Sequence, residues 1–120
     1  MLKITILIPF YNEEGNIVRQ LKDIIENIIF IRKYSFQILL IDDGSTDLGS
    51  EKIVQLFEAH PDIDYQLIKH QINQGKTKAF ESAFKILDTD YIIFMDGDYQ
   101  DHPGEINKFV QKSLNFQPYI

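Results

Sequence analysis

Apolar residues recur along this chain in two alternating rhythms. Lys3 to Pro9, "KITILIP", is short, β-branched and almost wholly apolar, the pattern of a strand buried on both faces. From Glu13 to about Tyr34 the rhythm lengthens. Ile17, Leu21, Ile24, Ile25, Ile28 and Ile31 recur at helical spacing, which predicts an amphipathic helix. Asn12 is placed as its N-cap, with Glu13 and Glu14 in the first turn, where the helix dipole favours acids.

The alternation continues to the end of the chain. Phe36 to Ile41, "FQILLI", reads as a second buried strand, and Asp47 to about Ala59 as a helix with Ile53, Val54, Leu56 and Phe57 inward. Ile63 to Lys69 alternates apolar and polar, as a strand nearer a sheet edge does. Lys76 to Leu87 reads as a helix with Ala79, Phe80, Ala83, Phe84 and Leu87 in the core. Asp90 to Met95, "DYIIFM", is expected to be a further buried strand. Gly104 to about Asn115 is expected to be a last helix, with Ile106, Phe109, Val110 and Leu114 inward.

Strand and helix thus alternate β-α-β-α-β-α-β-α. That order predicts an α/β fold, a mostly parallel sheet with helices on both faces. Ligands of such sheets bind at the carboxyl ends of the strands. Four polar stretches stand at those ends: "PFYNEE", "DDGSTD", "NQGK" and "DGDYQD". They are expected to face one side, and their convergence is the main argument for a binding site.

Composition narrows the chemistry. A chain of 120 residues points to one domain. Its formal net charge of −6 argues against a nucleic-acid binder, which would show a basic face. With no cysteine, disulfides and thiolate metal sites are excluded. The first apolar run, ended by Tyr11-Asn12-Glu13-Glu14, is too short for the core of a secretory signal. No apolar stretch approaches the length of a bilayer span. A cytoplasmic location is therefore expected.

Asp96, Asp98 and Asp101 crowd together after a strand. Carboxylates so close repel one another, and a divalent cation would relieve the repulsion. Residues two apart on an extended chain point the same way, so Asp96, Asp98 and Gln100 could meet one ion. Hard oxygen donors suit Mg²⁺ or Mn²⁺. The plainer reading is an acidic turn in water. In "DDGSTD", Ser45 or Thr46 could cap the next helix. Capping leaves the two adjacent carboxylates, Asp42 and Asp43, unexplained, and one of them could accept hydrogen bonds from a base N–H or a ribose hydroxyl. Tyr11 could stack on a base, or serve only as a core aromatic. Lys76 opens a helix after Gly75, where phosphate is attracted; Lys78 reads as a solvated lysine. His60, His70 and His102 are scattered, and only His102 stands near the acidic cluster. No Ser-His-Asp set is arguable from the sequence. A G-x-G-x-x-G fingerprint is missing, which disfavours a dinucleotide-dependent oxidoreductase.

Taken together, "IPFYNEE", "IDDGSTD", "NQGKTKA" and "MDGDYQDHP" resemble, in order and spacing, the family 2 nucleotide-sugar glycosyltransferases. The nearest likeness is to dolichyl- and polyprenyl-phosphate sugar transferases, and it runs from about Ile4 to Ile106. The resemblance implies a GT-A, Rossmann-like nucleotide-binding fold and inverting, metal-dependent transfer from a UDP- or GDP-sugar to a polyprenyl phosphate or glycan. It places Pro9, Tyr11 and Glu13 around base and ribose, Asp43 on the base with Asp42 in support, and Lys76 near the donor phosphates. It places Asp96 at the ribose or the metal, with Asp98 and Gln100 holding Mg²⁺ or Mn²⁺. Family members continue well past this length. Residues 1–120 are therefore expected to be one donor-binding domain that ends before the acceptor-binding part and any catalytic base. The alternative is a nucleotide-sugar binding module without transfer activity. A lipid acceptor would put the protein at the cytoplasmic face of a membrane. An apolar sheet edge left uncovered would favour a homodimer.

Overall fold

The structure, a computed structural model, describes residues 1–97. The expected helix from Gly104, together with Asp98, Gln100, Asp101 and His102, lies outside the described residues. Four strands and three helices alternate: β1 (Leu2–Phe10), α1 (Glu14–Ile28), β2 (Tyr34–Asp42), α2 (Gly49–Glu58), β3 (Asp64–Lys69), α3 (Lys76–Phe84) and β4 (Tyr91–Phe94). The strands form one sheet in the order β3-β2-β1-β4, and every pairing is parallel.

The period-two alternation of the strands divides the core between the two faces. Ile4, Ile6, Ile8 and Phe10 of β1, with Ile38 and Leu40 of β2, pack against Ile17, Leu21 and Ile24 of α1 and Ile53 and Phe57 of α2. Leu7, Leu39 and Ile41 face the other way and meet Ala79 and Ala83 of α3. Helices therefore cover both faces, as the alternation requires. The small side chains of Ala79 and Ala83 are both fully buried against the sheet.

The chain steps outward from β1 to β2 to β3, then crosses back on the other face to β4 beside β1. The strand order reverses between β1 and β4, and a crevice opens at such a switch point.

Several local expectations need correction. Helix α1 stops at Ile28 instead of near Tyr34. Tyr34 already pairs with Leu2 as the first residue of β2, so strand pairing claims backbone that a helix pattern would have used. Ile29 and Phe30 are correspondingly exposed. Val54 and Phe84, expected inward, are exposed, because each lies off the stripe that its helix turns to the sheet. β4 is half-buried and not buried. Among the described residues it pairs only with β1, and Phe94 is 52% exposed.

The expected caps also fail. Glu13 holds the N-cap position of α1, Leu48 that of α2, and neither makes a side-chain cap bond. Asn12 instead adopts a left-handed backbone, φ 52°, and its Oδ1 accepts the N–H of Thr46 at 2.8 Å. Ser45 Oγ accepts the N–H of Asn12 at 2.9 Å. The two helices supply each other's acceptors. Asp47 Oδ2 accepts the Glu14 N–H at 3.0 Å, and Glu14 Oε1 accepts the Leu48 N–H at 3.0 Å. Lys52 adds an ion pair to Glu14 at 2.7 Å. The Lys52 hydrogen bond, followed by the Leu48 N–H, holds the Glu14 carboxyl below its ordinary range.

Candidate functional site

The loops after β1, β2, β3 and β4 lie at one end of the parallel sheet, as expected. There a cleft of about 260 Å³ opens between Pro9, Phe10 and Tyr11 on one side and Asn73, Gly75 and Lys76 on the other. Asp43 and Ala79 also line it. Tyr11 is 44% exposed at this cleft, a ring partly free for contact. Glu13 is not among the lining residues; its Oε2 accepts the Asn16 side-chain N–H at 3.0 Å.

The two adjacent carboxylates have different tasks. Asp42 is buried, and its Oδ1 accepts the Ser45 N–H at 2.8 Å while Oδ2 accepts the Ser50 hydroxyl. It ties the turn after β2 to the start of α2 and sits behind its neighbour. Asp43 faces the cleft. Its Oδ1 accepts from the Gln74 N–H and the His70 ring, each at 2.9 Å, and its Oδ2 from the Gly75 N–H at 2.8 Å. Burial pushes the Asp43 carboxyl up. The hydrogen bonds from Gln74, His70 and Gly75 outweigh that and hold it below its ordinary value of 3.8. The cleft is thus floored by an ionised acceptor.

The turn between them is as constrained. Gly44 has φ +81°, and a Cβ there would come within 2.4 Å of the backbone at Ile72 and Asn73. The β2 turn and the loop after β3 are therefore in backbone contact, which brings Gln74 and Gly75 to Asp43.

Lys76, the first residue of α3, makes an ion pair with Asp96 just beyond β4. Both side chains are about half exposed. The pair joins the α3 N-terminus, a natural anion site, to the end of the last described strand. From behind, the backbone at Asp96 is fixed by α1. Gln20, fully buried, donates its Nε2–H to the Asp96 carbonyl at 2.7 Å. At Gly97 a Cβ would meet that of Phe10 at 2.6 Å, so the glycine serves close approach there. Lys78 is solvated, as expected, and pairs with Glu81 at 3.2 Å.

The site therefore gathers Pro9, Tyr11, Asp43 and Lys76, with Asp96 tied to Lys76 and Asp42 as support. Asp98 and Gln100 lie outside the described residues. Among those described, no group of three or more His, Cys, Asp and Glu residues gathers as a metal site. Two participants escaped the sequence reading. His70, read as scattered, contacts Asp43 and also Ser82 at 2.8 Å. A Ser-His-Asp chain thus exists where none was arguable. Nothing in one dimension signals it, since the contacts span 27 and 12 residues. Gln20 did carry a signal, as a polar residue on the apolar stripe between Ile17, Leu21 and Ile24.

Comparison with known proteins accords with this geometry. An uncharacterized protein of Methanocaldococcus jannaschii is 38% identical over 110 residues, a stretch covering 88% of this chain and 44% of that protein. The undecaprenyl-phosphate 4-deoxy-4-formamido-L-arabinose transferase of Shewanella sediminis is 34% identical over 110 residues, covering 92% of this chain and 33% of the enzyme. The chain thus spans between a third and just under half of the length of these curated relatives. Among solved structures, the mannosyltransferase PcManGT from Pyrobaculum calidifontis, in complex with GDP-Man and Mn²⁺, superposes with a TM-score of 0.75 at 22% identity, over 95% of this chain and 32% of that one. TarS 1–349 of S. aureus, in complex with UDP, gives 0.76 at 21%, again over 95% and 32%. These two likenesses establish a shared GT-A fold. The family model described as glycosyl transferase family 2 matches residues 5–117, and the chain belongs to that family.

Proposed function

We propose that this chain is the donor-binding part of an inverting glycosyltransferase that uses a UDP- or GDP-sugar. The observation that carries the reading is Asp43. It is an ionised carboxylate on the floor of a cleft at the carboxyl ends of the strands, with one acceptor position left for a ligand. A base N–H fits that position. Pro9 and Tyr11 would wall the base and ribose, with Glu13 nearby and Asp42 holding the turn. Lys76, at the helix N-terminus, would turn to the donor phosphates.

The residues that would hold a divalent cation are Asp96, Asp98 and Gln100. Of these, the Asp96 carboxylate is already paired to a cation, the ammonium of Lys76, which lines the cleft. A bound Mg²⁺ or Mn²⁺ would neutralise the diphosphate as it leaves. In the transfer itself the acceptor oxygen forms a bond to the anomeric carbon as the bond from that carbon to the diphosphate oxygen breaks, and configuration inverts. A polyprenyl phosphate is already an ionised nucleophile and needs no strong base. The name of the Shewanella relative supports such an acceptor, and the GDP-Man, UDP and Mn²⁺ complexes of the structural neighbours support the donor and the ion. A glycan is the other acceptor class. A lipid-phosphate acceptor would bring the protein to the cytoplasmic face of a membrane. No helix among the described residues is long and apolar enough to cross one.

The groups gathered at the cleft are binding groups, which also suits a second reading, a module that holds the nucleotide sugar without transferring it. Release of UDP or GDP from UDP-glucose and GDP-mannose, with and without undecaprenyl phosphate and Mn²⁺, separates the two. Metal-dependent release marks the transferase; binding without release marks the module.

A further inference from the structure

We propose that His70 is a positioning residue for nucleotide recognition. Held by Ser82, it keeps Asp43 an acceptor, so that the cleft takes nucleoside diphosphates whose base offers a ring N–H and rejects those presenting a bare ring nitrogen. This rests on the donor-binding reading above and adds to it the origin of base selectivity.

A carboxylate has about four lone-pair sites. At Asp43 three are taken, two on Oδ1 and one on Oδ2. Two of the three partners are backbone N–H groups, which only donate. The third depends on the histidine tautomer, and the surroundings decide it. His70 Nε2 lies 2.8 Å from Ser82 Oγ, and Nδ1 lies 2.9 Å from Asp43. A neutral ring with its proton on Nδ1 donates to Asp43 and accepts from the Ser82 hydroxyl. A protonated ring donates to both. The remaining tautomer would turn a lone pair toward a carboxylate. Nδ1–H therefore faces Asp43 in either charge state, and both side chains are more than nine-tenths buried.

Three donors on one carboxylate favour its ionised form, in which the fourth position accepts. Uracil presents N3–H and guanine N1–H at the edge that fits it. Cytosine and adenine present an unprotonated nitrogen, and its lone pair would face the carboxylate.

The test is titration of UDP, GDP, CDP and ADP into the chain and into His70→Ala, His70→Asn and Ser82→Ala, each checked for folding by circular dichroism. The chain should prefer UDP to CDP, or GDP to ADP, by at least about tenfold, the worth of one charge-assisted hydrogen bond. His70→Ala should weaken the preferred nucleotide by about tenfold and reduce the preference. His70→Asn, whose Nδ2–H can stand in for Nδ1–H, should restore most of both. Ser82→Ala, which removes the anchor at Nε2 and lets the ring turn away from Asp43, should lower the preference partway; it keeps the test open if His70→Ala unfolds. Binding of UDP or GDP with the preference unchanged in folded His70→Ala and Ser82→Ala would overturn this inference alone. CDP bound as tightly as UDP, with ADP as tight as GDP, would do the same. Failure of the folded chain to bind any nucleotide would overturn the donor-binding reading and this inference with it.

Discussion

Gly44 and Gly75 share a left-handed backbone but differ in their surroundings. At Gly44 a side chain would strike the backbone of Ile72 and Asn73, whereas at Gly75 nothing lies within 4 Å. Gly75→Ala should therefore cost only the conformational penalty, about 1 to 3 kcal/mol at its φ of 91° and ψ of 164°. Gly44→Ala should cost more than that, since the β2 turn must also part from the loop after β3. Urea denaturation of the two variants checks the order, and equal costs would show that the turn can yield. Asp43 gives a second residue-scale prediction. Its native pKa lies below the unfolded value, so the native state binds the proton less readily. The stability it contributes is whole above the ordinary value of 3.8 and drains as pH falls toward the native pKa. The stability difference between the chain and Asp43→Asn should thus be constant above about pH 5 and shrink below about pH 4. A difference that grew with acid would contradict the hydrogen-bond account of the shift. The histidine that takes part in that shift was invisible in the sequence, because its contact depends on which loops the crossover to β4 brings together.

At the scale of elements, the strands were legible because strands buried in a parallel sheet are nearly continuous apolar runs. β1 to β3 fall within a residue or two of expectation, and their ends meet at one side as the alternation requires. Helix ends were less legible, for a physical reason. Capping rules describe a side chain bonding to its own helix. Here Asp47, before α2, accepts the N–H of Glu14 in α1, and Glu14 returns the bond to Leu48. No local pattern encodes an acceptor 33 or 34 residues away. This exchange predicts that Asp47→Ala costs about 1 to 2 kcal/mol, because it also strips the acceptor at 3.0 Å from Gly49. In a double-mutant cycle with Glu14→Ala, measured by urea denaturation, the two losses should be less than additive. Full additivity would mean that the two caps act independently. The end of α1 failed for a related reason. Its stripe carries no Gly or Pro stop before Tyr34, and only pairing with β1 ends it.

At the scale of the molecule, β3 and β4 are the outer strands of the described sheet. β4 carries an exposed Phe94 beside Phe80, with ring centroids 5.3 Å apart. We propose that this edge supports a homodimer of the chain. Sedimentation should show association that weakens in Phe94→Lys, and a monomer at all concentrations would count against it. The cleft lies on the other axis of the molecule, at the carboxyl ends of the strands, where the polar motifs converge. That convergence could be read from element order alone. The division of labour inside it, with Asp42 binding the turn and Asp43 facing the ligand, could not, because it depends on which of two adjacent side chains points inward. This end of the sheet is proposed to hold a nucleoside diphosphate together with a divalent ion. Calorimetric titration of UDP and GDP, with and without Mn²⁺, into the chain and into Asp98→Ala tests it most directly. Mn²⁺-dependent binding of one of the two nucleotides is expected, lost or severely weakened in Asp98→Ala. Absence of binding in a folded chain, or binding indifferent to both Mn²⁺ and Asp98, would contradict a metal-dependent donor site here.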